Sequence, residues 1–76
     1  MELKILKTKE ESPSLKEAQK FVGGLVELVN LPDGDQLLVN EEGIMHNLPL
    51  NKLASFQASI KIYGNAILLE EEARWI

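Results

Sequence analysis

His46-Asn47-Leu48-Pro49-Leu50-Asn51 is the segment of this chain best equipped for chemistry. It sets an imidazole and two carboxamides where an extended stretch meets the start of a predicted helix. The free N–H groups of a helix's first turn attract anions. His46, Asn47 and Asn51 are therefore candidate ligand-binding residues for a carboxylate, a phosphate, a nucleotide or the edge of a ring. The competing assignment is structural: Asn47 caps the helix, Asn51 bonds a neighbouring backbone or faces water, and His46 is partly exposed.

Covalent catalysis needs a nucleophile beside an oriented base. The chain has no cysteine and a single histidine, so Ser12, Ser14, Ser55 and Ser59 would all depend on His46. None lies in a Gly-x-Ser-x-Gly turn, and Ser12 and Ser14 already read as helix-capping residues. Asp33/Asp35, Glu41/Glu42 and Glu70-Glu71-Glu72 pair carboxylates, but in turns and near the terminus, where water keeps both members ionised. One histidine and no thiol give no zinc-binding set, and Asp33-Gly34-Asp35 is too short a ladder of oxygens for a calcium loop. The expectation is a protein that is not an enzyme, with no catalytic residues, no metal and no cofactor.

Charge narrows the partners. The 76 residues carry 8 Lys and Arg against 12 Asp and Glu, a net −4. Five of the basic residues fall between Lys4 and Lys20, interleaved with Glu10, Glu11 and Glu17, so no basic patch stands clear for nucleic acid. The longest apolar runs, such as Ala66-Ile67-Leu68-Leu69, are far short of the roughly twenty residues a membrane span needs. No apolar leader opens the sequence. The expectation is a cytoplasmic protein that meets neither nucleic acid nor membrane.

The elements that must position these residues follow from hydrophobic period and turn chemistry. Glu2 to Thr8 reads as a strand, with Lys4 and Lys7 suiting a sheet edge. A helix follows. Its start is either Ser14 in a capping box with Glu17 or Ser12 as cap with Pro13 in the first turn. Leu15, Ala18, Phe21 and Val22 form its apolar stripe, and Gly23-Gly24 stops it. Leu25 to Leu31 and Gln36 to Asn40 form a hairpin across Pro32-Asp33-Gly34-Asp35. Glu41-Glu42-Gly43 is a turn, and Ile44 to His46 reads as a short strand or extended loop. Asn47-Leu48-Pro49 opens a second helix carrying Leu50, Leu53 and Ala54 at i, i+3, i+4. Ile60 to Tyr63 alternates like a strand, Gly64-Asn65 breaks it, and Ala66 to Leu69 is the last strand. The sum is one α+β domain over residues 1–76. Its sheet is small and mostly antiparallel, with two helices on one face, in the order β-α-β-β-(β)-α-β-β.

A domain this small buries only roughly 60% of its unfolded surface, and without cysteine it has no disulfide to brace it. Trp75 and Ile76 close the chain. They either fold back onto the domain or form an interface, so they are the candidate contact residues of a homo-oligomer or of a complex with another protein.

The run Gly23-Gly24-Leu25-Val26-Glu27, then Glu41-Glu42-Gly43, Leu48-Pro49-Leu50-Asn51 and Gly64-Asn65-Ala66 resembles a family of small phage- and plasmid-associated domains of unknown function, over residues 22–69. Asn65 stands where that family often has Asp. The resemblance implies an intracellular accessory role and marks Asn51 and Gly64 as motif positions. Two functions stay open: a non-enzymatic protein-interaction module, and a binder of a small anionic ligand at His46–Asn51.

Overall fold

In the computed structural model, which describes residues Met1–Trp75, both α-helices begin on a side chain that satisfies backbone left open by the helix start. Helix α1 (Leu15–Val22) starts on Ser14, whose hydroxyl accepts from the Glu17 N–H while the Glu17 carboxylate accepts from the Ser14 N–H. This reciprocal cap satisfies two orphan donors and decides between the two starts that the sequence allows. Ser12 instead donates to the Ala73 carbonyl at 2.7 Å. The helix ends where Gly23 turns left-handed and returns its N–H to Gln19.

Strands β1 (Leu3–Leu6), β2 (Val26–Asn30), β3 (Gln36–Asn40) and β4 (Ala66–Leu69) form one sheet in the order β1-β4-β3-β2. β1 runs parallel to β4, and the other pairings are antiparallel. The fold is α+β with a mixed sheet, and β1 takes the edge that Lys4 and Lys7 suit.

The helices do not share a face. Leu38, Ile67 and Leu69 pack with Ala18 of α1 and with Ala73, which lies in a short 3-10 turn over Glu71–Ala73. Leu37, Val39, Ala66 and Leu68 pack on the opposite side with Leu31, Ile62 and Ala54 of α2 (Lys52–Ala58). The reason is visible in the central strands. Leu37-Leu38-Val39 and Ala66-Ile67-Leu68-Leu69 are apolar at consecutive positions and buried at each, so both faces need cover.

Three further expectations change. The second helix starts at Lys52, not beside Asn47. Asn51 is its cap, while the Pro49 carbonyl accepts from Gly64 and Leu50 bridges to Tyr63, which holds that stretch extended. Ile44 to His46 is neither strand nor extended loop. His46 returns its N–H to Glu42, Asn47 to Ile44 and Leu48 to Gly43, making successive tight turns over residues 41–47. Ile60 to Tyr63 joins no sheet among the described residues. Tyr63 makes the single bridge, and Ile62 bonds Ser55 and Asn51 instead.

Candidate functional site

Asn51, the first candidate for ligand contact, is 1% exposed. Its Oδ1 accepts from the Ala54 N–H at 3.0 Å, and its Nδ2 donates to the carbonyls of Glu2 and Gly64, both at 2.9 Å. A carboxamide has two N–H donors, and both are used. Asn51 ties the start of α2 to the chain entering β1 and to the turn entering β4.

His46 and Asn47 lie on the outside. Asn47 adopts φ 54, a left-handed conformation that asparagine tolerates, and ends the 41–47 turns. The His46 ring is about half exposed, with Nε2 3.8 Å from a Glu42 carboxylate oxygen on the preceding turn. The structure thus separates the three residues by role: two polar groups face water, and the third is consumed inside. Three of the four serines considered as nucleophiles are also occupied. Ser12 and Ser14 hold backbone, Ser55 Oγ accepts from Ile62 N–H at 2.7 Å, and Ser59 closes α2 in a left-handed conformation.

Trp75 folds back onto its own domain. The indole N–H donates to the Pro13 carbonyl at 2.9 Å, and Gln36 receives its main-chain N–H and donates to its carbonyl. The ring packs beside the α1-side core. Ile76, the other contact candidate, lies outside the described residues.

Two carboxyl groups are held below their ordinary range, and both are structural. The backbone N–H of Ser14 stabilises ionised Glu17, and the N–H groups of Lys7 and Thr8 do the same for Glu11. Among the described residues no cluster of three metal-ligating side chains forms, and no helix is long and apolar enough to cross a membrane.

A different surface emerges around α2. This helix turns its small side chains inward: Ala54 is fully buried, and Ala58 packs against the same core. Its large ones face out, with Phe56 83% exposed and Leu53 66%. Their i, i+3 spacing stacks them on one helix face. On the same side of the sheet, Ile44, Met45 and Ile60 line an open cleft of about 360 Å³ with Val29, Val39 and Ile62, which belong to or pack against the α2-side core. Glu27, Glu41 and Glu42 charge its rim against Lys61. Leu50 and Leu53 look like a core stripe by spacing, but of the α2 side chains it is Ala54 and Ala58 that pack against the core.

The family model for the domain of unknown function DUF3846 matches residues 2–75. The chain belongs to the DUF3846 family. No curated protein and no solved structure matches it.

In this DUF3846 domain the residues that carry the sequence resemblance are joints of one network. Gly24 leaves room for Asn40, whose amide donates to Val22 O at the end of α1. A Cβ on Gly43 would lie 2.8 Å from the Tyr63 carbonyl, so only glycine lets the 41–47 turns close there. Gly64 has φ 90, and a Cβ on it would lie 2.7 Å from Leu48 Cδ1. Asn65 accepts from Glu2 N–H and donates to Phe21 O. With Asn51 these groups fasten the entries of β1, β4 and α2 to the exit of α1.

Proposed function

We propose that this DUF3846 domain is a non-enzymatic protein-interaction module of the phage accessory type, working through the outward face of α2 and the exposed Ile44–Met45 turn. The observation that carries the reading is the inverted burial of α2, alanines inward and Leu53 and Phe56 outward. Apolar side chains grouped in this way are a usual mark of a contact surface. Their exposure contributes nothing to the packing of the fold. The acidic rim formed by Glu27, Glu41 and Glu42 favours a protein partner whose apolar side chains are flanked by Lys or Arg. The phage-type setting rests on the sequence resemblance alone. The non-enzymatic reading is supported by the capping and backbone bonds that occupy Ser12, Ser14 and Ser55, and by an exposed His46 with no nucleophile bonded to it among the described residues.

The test is a Leu53→Ser/Phe56→Ser variant. It should keep the far-UV circular dichroism and melting temperature of the parent and lose a protein complex that the parent holds through gel filtration of host extract. A variant that retains the complex unchanged overturns the reading.

A further inference from the structure

The second edge of the sheet has its own open surface, apart from the face of α2. β2 pairs with β3 in the register Val26↔Asn40 to Asn30↔Gln36. The flanking bonds Glu41 N–H to Leu25 O and Leu31 N–H to Asp35 O fix the phase of the ladder. Directly opposed antiparallel pairs alternate between exchanging two hydrogen bonds and exchanging none. Leu25, Glu27, Val29 and Leu31 therefore bond to β3, and Val26, Leu28 and Asn30 point their N–H and C=O groups away from it. No backbone partner meets those outward groups among the described residues. Natural edges are usually blunted by Lys, Pro or a bulge. β1 carries Lys4 and is followed by Lys7, whereas Val-Glu-Leu-Val-Asn has none of these.

We propose that β2 pairs antiparallel with β2 of a second copy of this chain, joining two four-stranded sheets into one. The outward phase allows registers two residues apart, and the one centred on Leu28 engages all three outward residues of both strands. With Leu28 opposite the partner's Leu28, Val26 faces the partner's Asn30, and each of these pairs exchanges two hydrogen bonds. On the other face Glu27 lies opposite the partner's Val29, so the strand's single charge never meets its copy. Leu25, more than half exposed in one chain, comes opposite the partner's Leu31. A register shifted by one residue would lose the backbone pairing. A foreign strand fits the same edge, but the self-complementary pattern of Val26, Leu28 and Asn30 favours the second copy. The association also supplies the extra burial that a small cysteine-free domain gains from oligomerising.

The experiment uses the full chain. Light scattering should give twice the 8.5 kDa chain mass for the parent. Asn30→Pro removes an outward N–H and leaves the β2–β3 ladder intact, so it should give the single-chain mass with unchanged circular dichroism. The lack of cysteine allows a second readout. Val26→Cys and Asn30→Cys chains, mixed and oxidised, should form a mixed disulfide dimer, because opposed Cα atoms lie about 5.5 Å apart. Asn30→Cys alone should not, since its copies lie roughly 14 Å apart in this register. A parent that stays monomeric at millimolar concentration overturns the proposal. So does a dimer that survives Asn30→Pro, or Asn30→Cys alone cross-linking as well as the mixture. If Asn30→Pro fails to fold, the cysteine mixture decides.

Discussion

Replacing Asn51 by alanine removes three hydrogen bonds at a site with no access to water. The loss of an N-cap costs about 1 kcal/mol. The Glu2 carbonyl still accepts from Ala66 N–H, so its share of the damage is small. The Gly64 carbonyl is left buried without the carboxamide, at a cost of about 2 kcal/mol. The total is about 3 kcal/mol, a large fraction of the stability of a small domain. At this size, that loss lowers the melting temperature by roughly 12–24 °C. Thermal unfolding followed by circular dichroism, without any ligand, is the assay. Asn51→Ser separates the terms: it keeps a cap acceptor, loses both long-range donations, and should fall between the parent and Asn51→Ala. If Asn51→Ala melts within about 3 °C of the parent, less than 1 kcal/mol has been lost and the structural assignment of Asn51 is wrong. A residue whose task is ligand contact would show that smaller change.

The remaining expectations concern backbone and charge. Gly64→Ala forces a side chain into φ 90 against Leu48 and should lose about 2 kcal/mol, read by urea unfolding. Trimming Leu48 to alanine in the same chain should not restore it, because the torsion remains. Glu17 has its folded pKa depressed by the Ser14 N–H, so its contribution is present above the ordinary 4.5 and fades as pH falls through the folded value. The melting temperature of Glu17→Gln should therefore depend less on pH below 4.5 than the parent's. An identical acid profile in the two chains would refute that role.

The elements were legible where local chemistry dictates them. Ser14 and Glu17 announce a capping box, Pro32 to Asp35 a hairpin, and Ala66 to Leu69 a buried strand. The two-sided burial was also written in the consecutive apolar positions of β3 and β4, though alternation alone did not say that the helices would divide between faces. The start of α2 was not legible. Asn47 and Asn51 are both good caps, and the choice depends on Glu2 and Gly64, distant in sequence, whose carbonyls meet only one of them. The candidate site failed to assemble for the same reason: Asn51 looked free because its partners are long-range. The α2 face was hidden differently. Leu50, Leu53 and Ala54 fit a core stripe by spacing, but spacing alone does not say which of them the core takes, and it takes Ala54 and leaves Leu53 and Phe56 outside.

The claim that this outward face meets a protein is tested most directly by placing a photo-activated cross-linking side chain at position 56 and, in a second chain, at position 16 on the solvated side of α1. Irradiation in host cells should give adducts of discrete mass from position 56 and none from position 16. Equal yields from both positions, or no adduct from position 56, would contradict the account.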